Sequence, residues 1–268
     1  MKRAPAAAKI NLALVVGSLR ADGRHELATV YQRVALCDRL AVDRAPFVSV
    51  EGFDADTLVR RALEIVADGT GFKAQIAKRI PVAAGLGGGS SDAATALRLA
   101  NELRDKPLSH DELQLAAREL GADVPYFLAD GPQLGTADGT ELSSLELPQD
   151  YWVVLVLPKS ARKPSTGDVF AAFDARGGEQ GFEGRRAQLL TALEAVRRPR
   201  DLAALPPNDL ASSPLAAELL QLGAFRADVT GAGPTVYGLF LHGAHARAAQ
   251  RQLSSKGRTW LTAPAWYR

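Results

Sequence analysis

The chain has 268 residues, 47% of them hydrophobic and 23% charged, which is enough to bury a core and excludes a disordered chain. Thirty-two Lys and Arg against thirty Asp and Glu leave a formal charge of +2, which excludes bulk phosphate attraction to nucleic acid, so any anion must be met locally. The single cysteine, Cys37, excludes an internal disulfide or a cysteine zinc cluster and predicts a reducing, cytoplasmic setting. No apolar stretch approaches the ~20 residues of a membrane helix.

Met1-Lys2-Arg3 is briefly basic but opens no uninterrupted apolar run, so no export signal is expected. Residues 8–16 are apolar apart from Lys9 and Asn11 and read as a strand, and residues 30–42 and 47–50 continue in β-rich character. Asp56 and Thr57 can cap a helix whose apolar positions Leu58, Ala62, Ile65 and Val66 recur at helical spacing, with Gly69 and Gly71 ending it. A strand over 72–79 leads into Pro81-Val82-Ala83-Ala84-Gly85-Leu86-Gly87-Gly88-Gly89-Ser90-Ser91, and an Ala- and Leu-rich helix over 93–103 follows. Ser109 and Glu112 form a capping box for the next helix, which ends near Gly121. Pro125 disfavours a helical Val124, so Asp123-Val124-Pro125 reads as a new turn. The apolar run 152–157 is a buried strand that opens a second unit, giving domains 1–150 and 151–268. Helices over 165–175, 186–196 and 214–222, a Gly-rich loop over 176–184, a strand over 235–240 and a helix over 244–254 complete an α+β arrangement.

Four glycines in the five positions 85–89 leave the backbone without Cβ obstruction just where a helix begins, and the unpaired N–H groups of its first turn favour an anion such as phosphate. The alternative is a tight strand-to-helix connection. Lys9 and Asn11 stand two apart, so they share one face of their strand, which is either a cleft wall or the solvent face of an edge strand. Asp123, beside Gly121 and Pro125, is either a displayed reactive carboxylate or a turn and N-cap residue. His25 lies in the polar turn Asp22-Gly23-Arg24-His25-Glu26, and with His110, His242 and His245 it shows no metal-ligand spacing, so no metal site is expected. Thr230-Gly231-Ala232-Gly233-Pro234 is a second glycine turn. A cation, a carboxylate and a phosphate loop together supply the parts of phosphoryl transfer.

Ala8-Lys9-Ile10-Asn11-Leu12, Pro81 through Ser91, and Thr230 through Pro234 resemble, in order and separation, the three motifs of the GHMP kinases. Arg20-Ala21-Asp22-Gly23-Arg24-His25-Glu26-Leu27 and Leu120-Gly121-Ala122-Asp123-Val124-Pro125-Tyr126-Phe127 are similar to the branch that acts on a cytidine diphosphate conjugate. The resemblance implies a two-domain GHMP kinase fold with the active site in the cleft between domains, residues 1–150 being the ATP-binding domain and 151–268 the C-terminal domain. It implies that ATP phosphorylates the 2-hydroxyl of the methylerythritol part of that conjugate, in the non-mevalonate route to isoprenoids. Asp123 then matches the general base and Lys9 its electrostatic partner, residues 81–91 cradle the ATP phosphates, Asn11, Arg24 and His25 contact the substrate, and Mg²⁺ accompanies ATP. Arg24 stands where the family usually has a tyrosine that stacks on cytosine, and a guanidinium plane can also stack on a base. A GHMP kinase for another alcohol, of homoserine or mevalonate type, and a non-catalytic nucleotide sensor on the same scaffold are the other readings. No nucleic-acid or membrane partner is expected.

Overall fold

The computed structural model describes residues 1–53, 57–69, 71–159 and 165–265. In chain order the elements are β1 (Lys2–Leu19), β2 (His25–Ala45), β3 (Ser49–Glu51), α1 (Thr57–Val66), β4 (Gly71–Ala77), α2 (Gly88–Asn101), α3 (His110–Leu120), α4 (Val124–Leu128), β5 (Gln133–Thr136), β6 (Glu141–Ser144) and β7 (Trp152–Pro158). They continue with α5 (Thr166–Ala175), α6 (Phe182–Ala195), a 3₁₀ helix (Pro199–Ala204), α7 (Pro214–Gln221), β8 (Arg226–Val229), β9 (Val236–Phe240), α8 (Gly243–Leu253) and β10 (Gly257–Thr262). The α+β class expected from the sequence is the one observed.

Contacts group the chain into two units, each assembled from separate stretches: Met1–Ala8, Leu36–Val82 and Gly87–Asp130 in the first, and Lys9–Ala35, Ala83–Leu86 and Gly131–Arg268 in the second. In the first unit the later part of β2 pairs antiparallel with β4, with Leu40 opposite Ile76, and β3 adds to β4 in parallel. Val59, Ala62, Leu63 and Val66, spaced three and four apart, turn one face of α1 inward against α2. On α2 the small side chains Ala93, Ala94, Ala96 and Ala100 are buried with Leu97 and Leu99, so α2 lies close to its neighbours. Ser109 and Glu112 make the expected capping box on α3. Asp56, named as a cap of α1, lies outside the described residues.

In the second unit β10, β7, β9 and β8 form an antiparallel sheet, with Leu155 opposite both Tyr237 and Trp260. α7 and α8 cover one of its faces, where Val154, Val156, Leu219, Phe240, Ala246 and Leu253 make a core. The earlier part of β2 pairs with β5, and β5 with β6.

Three sequence readings change. Val124 is helical, because Pro125 falls in the first turn of α4, where a missing N–H costs nothing. The glycines 88 and 89 lie inside α2 rather than ahead of it, since packing of the helix overrides their weak propensity. The Gly-rich segment is a loop only as far as Gly181, whose left-handed φ of 72° makes it the N-cap of α6. The short strands β5, β6, β8 and β10 carry no strong period of their own and were not expected.

Leu97 is fully buried within the first core. Leu97→Ala is expected to lower the unfolding free energy by about 2–5 kcal/mol, read from urea denaturation.

Candidate active site

In the second unit, Lys9 and Asn11 face inward from β1, each only 4% exposed, which removes the edge-strand alternative. A buried ammonium needs partners. Lys9 donates from Nζ to Asn11 Oδ1 at 2.8 Å and lies over the Tyr31 ring, 5.4 Å from its centroid. Asn11 Nδ2 in turn donates to Thr29 Oγ1 at 2.8 Å, and that hydroxyl donates to the carbonyl of Ala13 at 2.8 Å. The backbone N–H of Asn11 donates to Thr230 Oγ1 at 3.0 Å. This chain of donors fixes the carboxamide so that its oxygen meets the ammonium.

The same unit holds residues 83–86 of the glycine loop. Lys9 N–H donates to the Leu86 carbonyl at 2.9 Å, and Thr235 N–H to that of Ala84 at 3.3 Å. Gly85 has φ of 79°, and a Cβ there would stand 2.7 Å from the carbonyl oxygens of Thr230 and Gly233. The two glycine turns therefore touch backbone to backbone, which only glycine at 85 permits. Ala83 takes a left-handed φ of 57°, a conformation costly for a residue with a Cβ and frequent at functional loops. Gly231 lies where a Cβ would be 3.4 Å from Asn11 Oδ1 and 3.7 Å from Lys9 Nζ. Asn208 donates from Nδ2 to the carbonyls of Val229 and Gly231 at 2.9 and 2.7 Å and so shapes the 230–234 turn.

The rest of the loop belongs to the first unit. Pro81 is half-buried and Val82 is exposed. Gly87 is the N-cap of α2, and the first intrahelical bond runs from Ser91 N–H to the Gly87 carbonyl at 2.9 Å, so the N–H groups of Gly88, Gly89 and Ser90 precede it. A Cβ at Gly88 would press on Ile80 at 3.0 Å, whereas at Gly89 the only neighbour among the described residues would be Leu58 at 3.7 Å. Packing thus accounts for glycine at 88 but not at 89. Ser91 is buried and Ser90 half-buried.

Beneath α2, Lys78 Nζ donates to Asp38 Oδ2 at 2.6 Å and Asp92 Oδ2 at 2.7 Å, both carboxylates fully buried. Asp38 Oδ1 also accepts from the N–H groups of Arg79 and Ile80. Burial works against the Lys78 ammonium, yet the two carboxylates outweigh it and hold its pKa above the ordinary lysine value. Asp123, in the same unit, is half-buried at the N-cap position of α4, but its side chain does not cap the helix. The N-cap explanation of this aspartate therefore fails.

Arg24 and His25, in the second unit, are adjacent but take different partners. The Arg24 guanidinium, 51% exposed, pairs with Asp138. Partial burial opposes the Asp138 charge, but hydrogen bonds from Thr140 and Arg24 more than offset it and hold this carboxyl below the usual range. His25 bonds Asp174 across 2.8 Å and stacks on Phe170. Among the described residues no group of three His, Cys, Asp or Glu side chains could hold a metal ion, and no helix is long and apolar enough to cross a membrane.

Residues 57–131 match the GHMP kinases N terminal domain and residues 201–259 the GHMP kinases C terminal family. Over 281 residues, covering 97% of this chain and 96% of the other, the sequence is 36% identical to 4-diphosphocytidyl-2-C-methyl-D-erythritol kinase of Pelobacter propionicus. The chain belongs to the 4-diphosphocytidyl-2-C-methyl-D-erythritol kinase family of GHMP kinases. The protein of the same name from Cutibacterium acnes is 38% identical across 85% of this chain and 82% of its own. A crystal structure of 4-(cytidine 5'-diphospho)-2C-methyl-D-erythritol kinase superposes with a TM-score of 0.79 at 31% identity, over 98% of this chain and 99% of that one. A mevalonate kinase superposes with a TM-score of 0.75 at 13% identity over 98% and 99% of the two chains, a likeness of fold alone.

As a GHMP kinase the protein is an enzyme that takes ATP as co-substrate. Thr29, Tyr31 and Asn208, which surround Lys9, Asn11 and the 230–234 turn, escaped the sequence reading. Thr29 is a polar position in an apolar strand, a weak signal by itself.

Lys78→Met leaves two buried carboxylates without their cation and is expected to cost about 3–5 kcal/mol of stability in chemical denaturation. Gly85→Ala forces a Cβ against two carbonyls in a left-handed conformation, and a loss of more than about 1 kcal/mol is expected in the same measurement.

Proposed function

We propose that this enzyme transfers the γ-phosphoryl group of ATP to the 2-hydroxyl of 4-diphosphocytidyl-2-C-methyl-D-erythritol, giving the 2-phosphate and ADP in the non-mevalonate route to isoprenoid precursors. The observation that carries the reading is family membership at 36% identity over 97% of the chain. The buried Lys9–Asn11 pair and the glycine turn held against Thr230 support it.

On this reading Asp123 accepts the proton of the acceptor hydroxyl. The oxygen forms its bond to the γ-phosphorus as the bond to the β,γ-bridging oxygen breaks, and ADP leaves with that electron pair. Lys9 offsets the charge that gathers on the transferred group, and its tether to Asn11 holds it ready without reorganisation. The N–H groups of Gly88, Gly89 and Ser90 meet the ATP phosphates, with Gly89 left bare for their close approach. Asn11, Arg24 and His25 meet the acceptor, His25 at the cytosine. Residues 1–150 serve as the ATP-binding domain and 151–268 as its C-terminal complement, with the cytoplasm as the place of work. Mg²⁺ comes with the nucleotide. The described residues offer no cage of protein ligands for it, and no step is assigned to a protein-held metal.

Incubation with ATP, Mg²⁺ and the cytidyl conjugate, in competition with mevalonate and homoserine, is expected to give ADP and the 2-phosphorylated conjugate. Phosphorylation of another alcohol in preference to the conjugate would overturn the assignment. Asp123→Asn is expected to lower turnover by about 10²–10⁴-fold with ATP affinity unchanged in calorimetry, and an equal loss of both would remove the general-base role.

A further inference from the structure

His25 opens β2, and α5 carries Phe170, Phe173 and Asp174, all within the second unit. The imidazole is 8% exposed and is held on three sides. Its Nε2 lies 2.8 Å from Asp174 Oδ1. One face stacks on Phe170 with centroids 4.6 Å apart and planes at 27°, and Phe173 meets the ring edge-on at 6.1 Å and 83°. The position, the plane and one nitrogen of the ring are therefore all determined by α5. Among the described residues Nδ1 has no hydrogen-bond partner. The ring is enclosed on its other sides while Nδ1 keeps a solvent-accessible edge, where a ligand can reach it.

The chemistry of the pair sets what Nδ1 offers. An ionised carboxylate only accepts, so Nε2 must carry the proton, and a neutral imidazole then presents Nδ1 as a bare acceptor. We propose that Asp174 is a positioning residue that holds His25 in the Nε2–H tautomer, so that Nδ1 accepts a hydrogen bond from the amino group of the substrate's base. This rests on the reading that His25 meets the cytosine, and it adds the residue that sets the sense of the bond. Cytosine offers an N4 amino donor where uracil offers an O4 acceptor. The fixed imidazole pairs with the first and turns lone pair to lone pair against the second.

Nitrogen-15 histidine spectra at a pH above the ordinary imidazole value of about 6.5 read the tautomer directly in the unaltered enzyme, with His25→Gln assigning the resonance. Calorimetry with CMP, UMP and ATP on the wild type, Asp174→Asn and Asp174→Glu reads the consequence. The expected result is a protonated Nε2, a bare Nδ1 and a CMP preference over UMP of roughly tenfold. Asp174→Asn, whose amide can donate as well as accept, should release the tautomer and collapse the preference, and Asp174→Glu should restore part of it, with ATP affinity the same throughout. A bare Nε2 in the wild type, or an unchanged CMP to UMP ratio in Asp174→Asn, overturns the proposal. The substrate reading fails separately: an enzyme that favours CMP through Asp174 yet does not phosphorylate the conjugate keeps this inference and loses that one. Turnover of the conjugate with indifference to the base and to Asp174 does the reverse.

Discussion

The Lys9 ammonium is buried, and a charge in that position has to be solvated by protein. Asn11 Oδ1 at 2.8 Å and the Tyr31 ring supply part of that solvation, and Asn11 is itself held by Thr29 and Thr230. One side chain thereby links β1 to β2 and to the turn that begins at Thr230. Burying the cation without this network would cost several kcal/mol. With it, the amine stands ready beside backbone that only glycine can form. Gly231 approaches both Lys9 and Asn11, and Gly85 packs on the carbonyls of Thr230 and Gly233. The polar network and the glycine turns are thus a single construction.

The glycine run combines two requirements. At 85 and 88 a Cβ would press on the protein itself, so those glycines serve packing; at 89, among the described residues, it would meet nothing nearer than Leu58 at 3.7 Å, and an open backbone at the head of a helix is what an anion can approach. The Asp38–Lys78–Asp92 cluster ties the end of β4 to β2 and to the early part of α2. It holds the strand and the helix on either side of the loop, which turns a flexible composition into a defined backbone.

Much of the first unit was legible from local pattern. The helix α1 follows from Leu58, Ala62, Ile65 and Val66 at helical spacing, of which Ala62 and Val66 are fully buried beside Val59 and Leu63, the Ser109–Glu112 box marks the head of α3, and period two places Lys9 with Asn11. The rest was hidden for physical reasons. The glycines of α2 are poor helix formers that tertiary packing carries into the helix. Val124 precedes a proline but occupies a first turn where proline is tolerated. The strands β5, β6 and β8 are four residues each, too short to show a period.

Sequence alone determined the chemical kinds present, namely a lysine and an asparagine on one strand face, a glycine-rich loop ahead of a helix and a family signature, because motifs and periodicity are written in neighbouring residues. Tertiary structure decided which buried polar group answers which. Lys78 finds Asp38 across 40 residues of chain and His25 finds Asp174 across 149. Hydrogen-bond donors are matched to acceptors by where folding leaves them, and no local pattern records that distance.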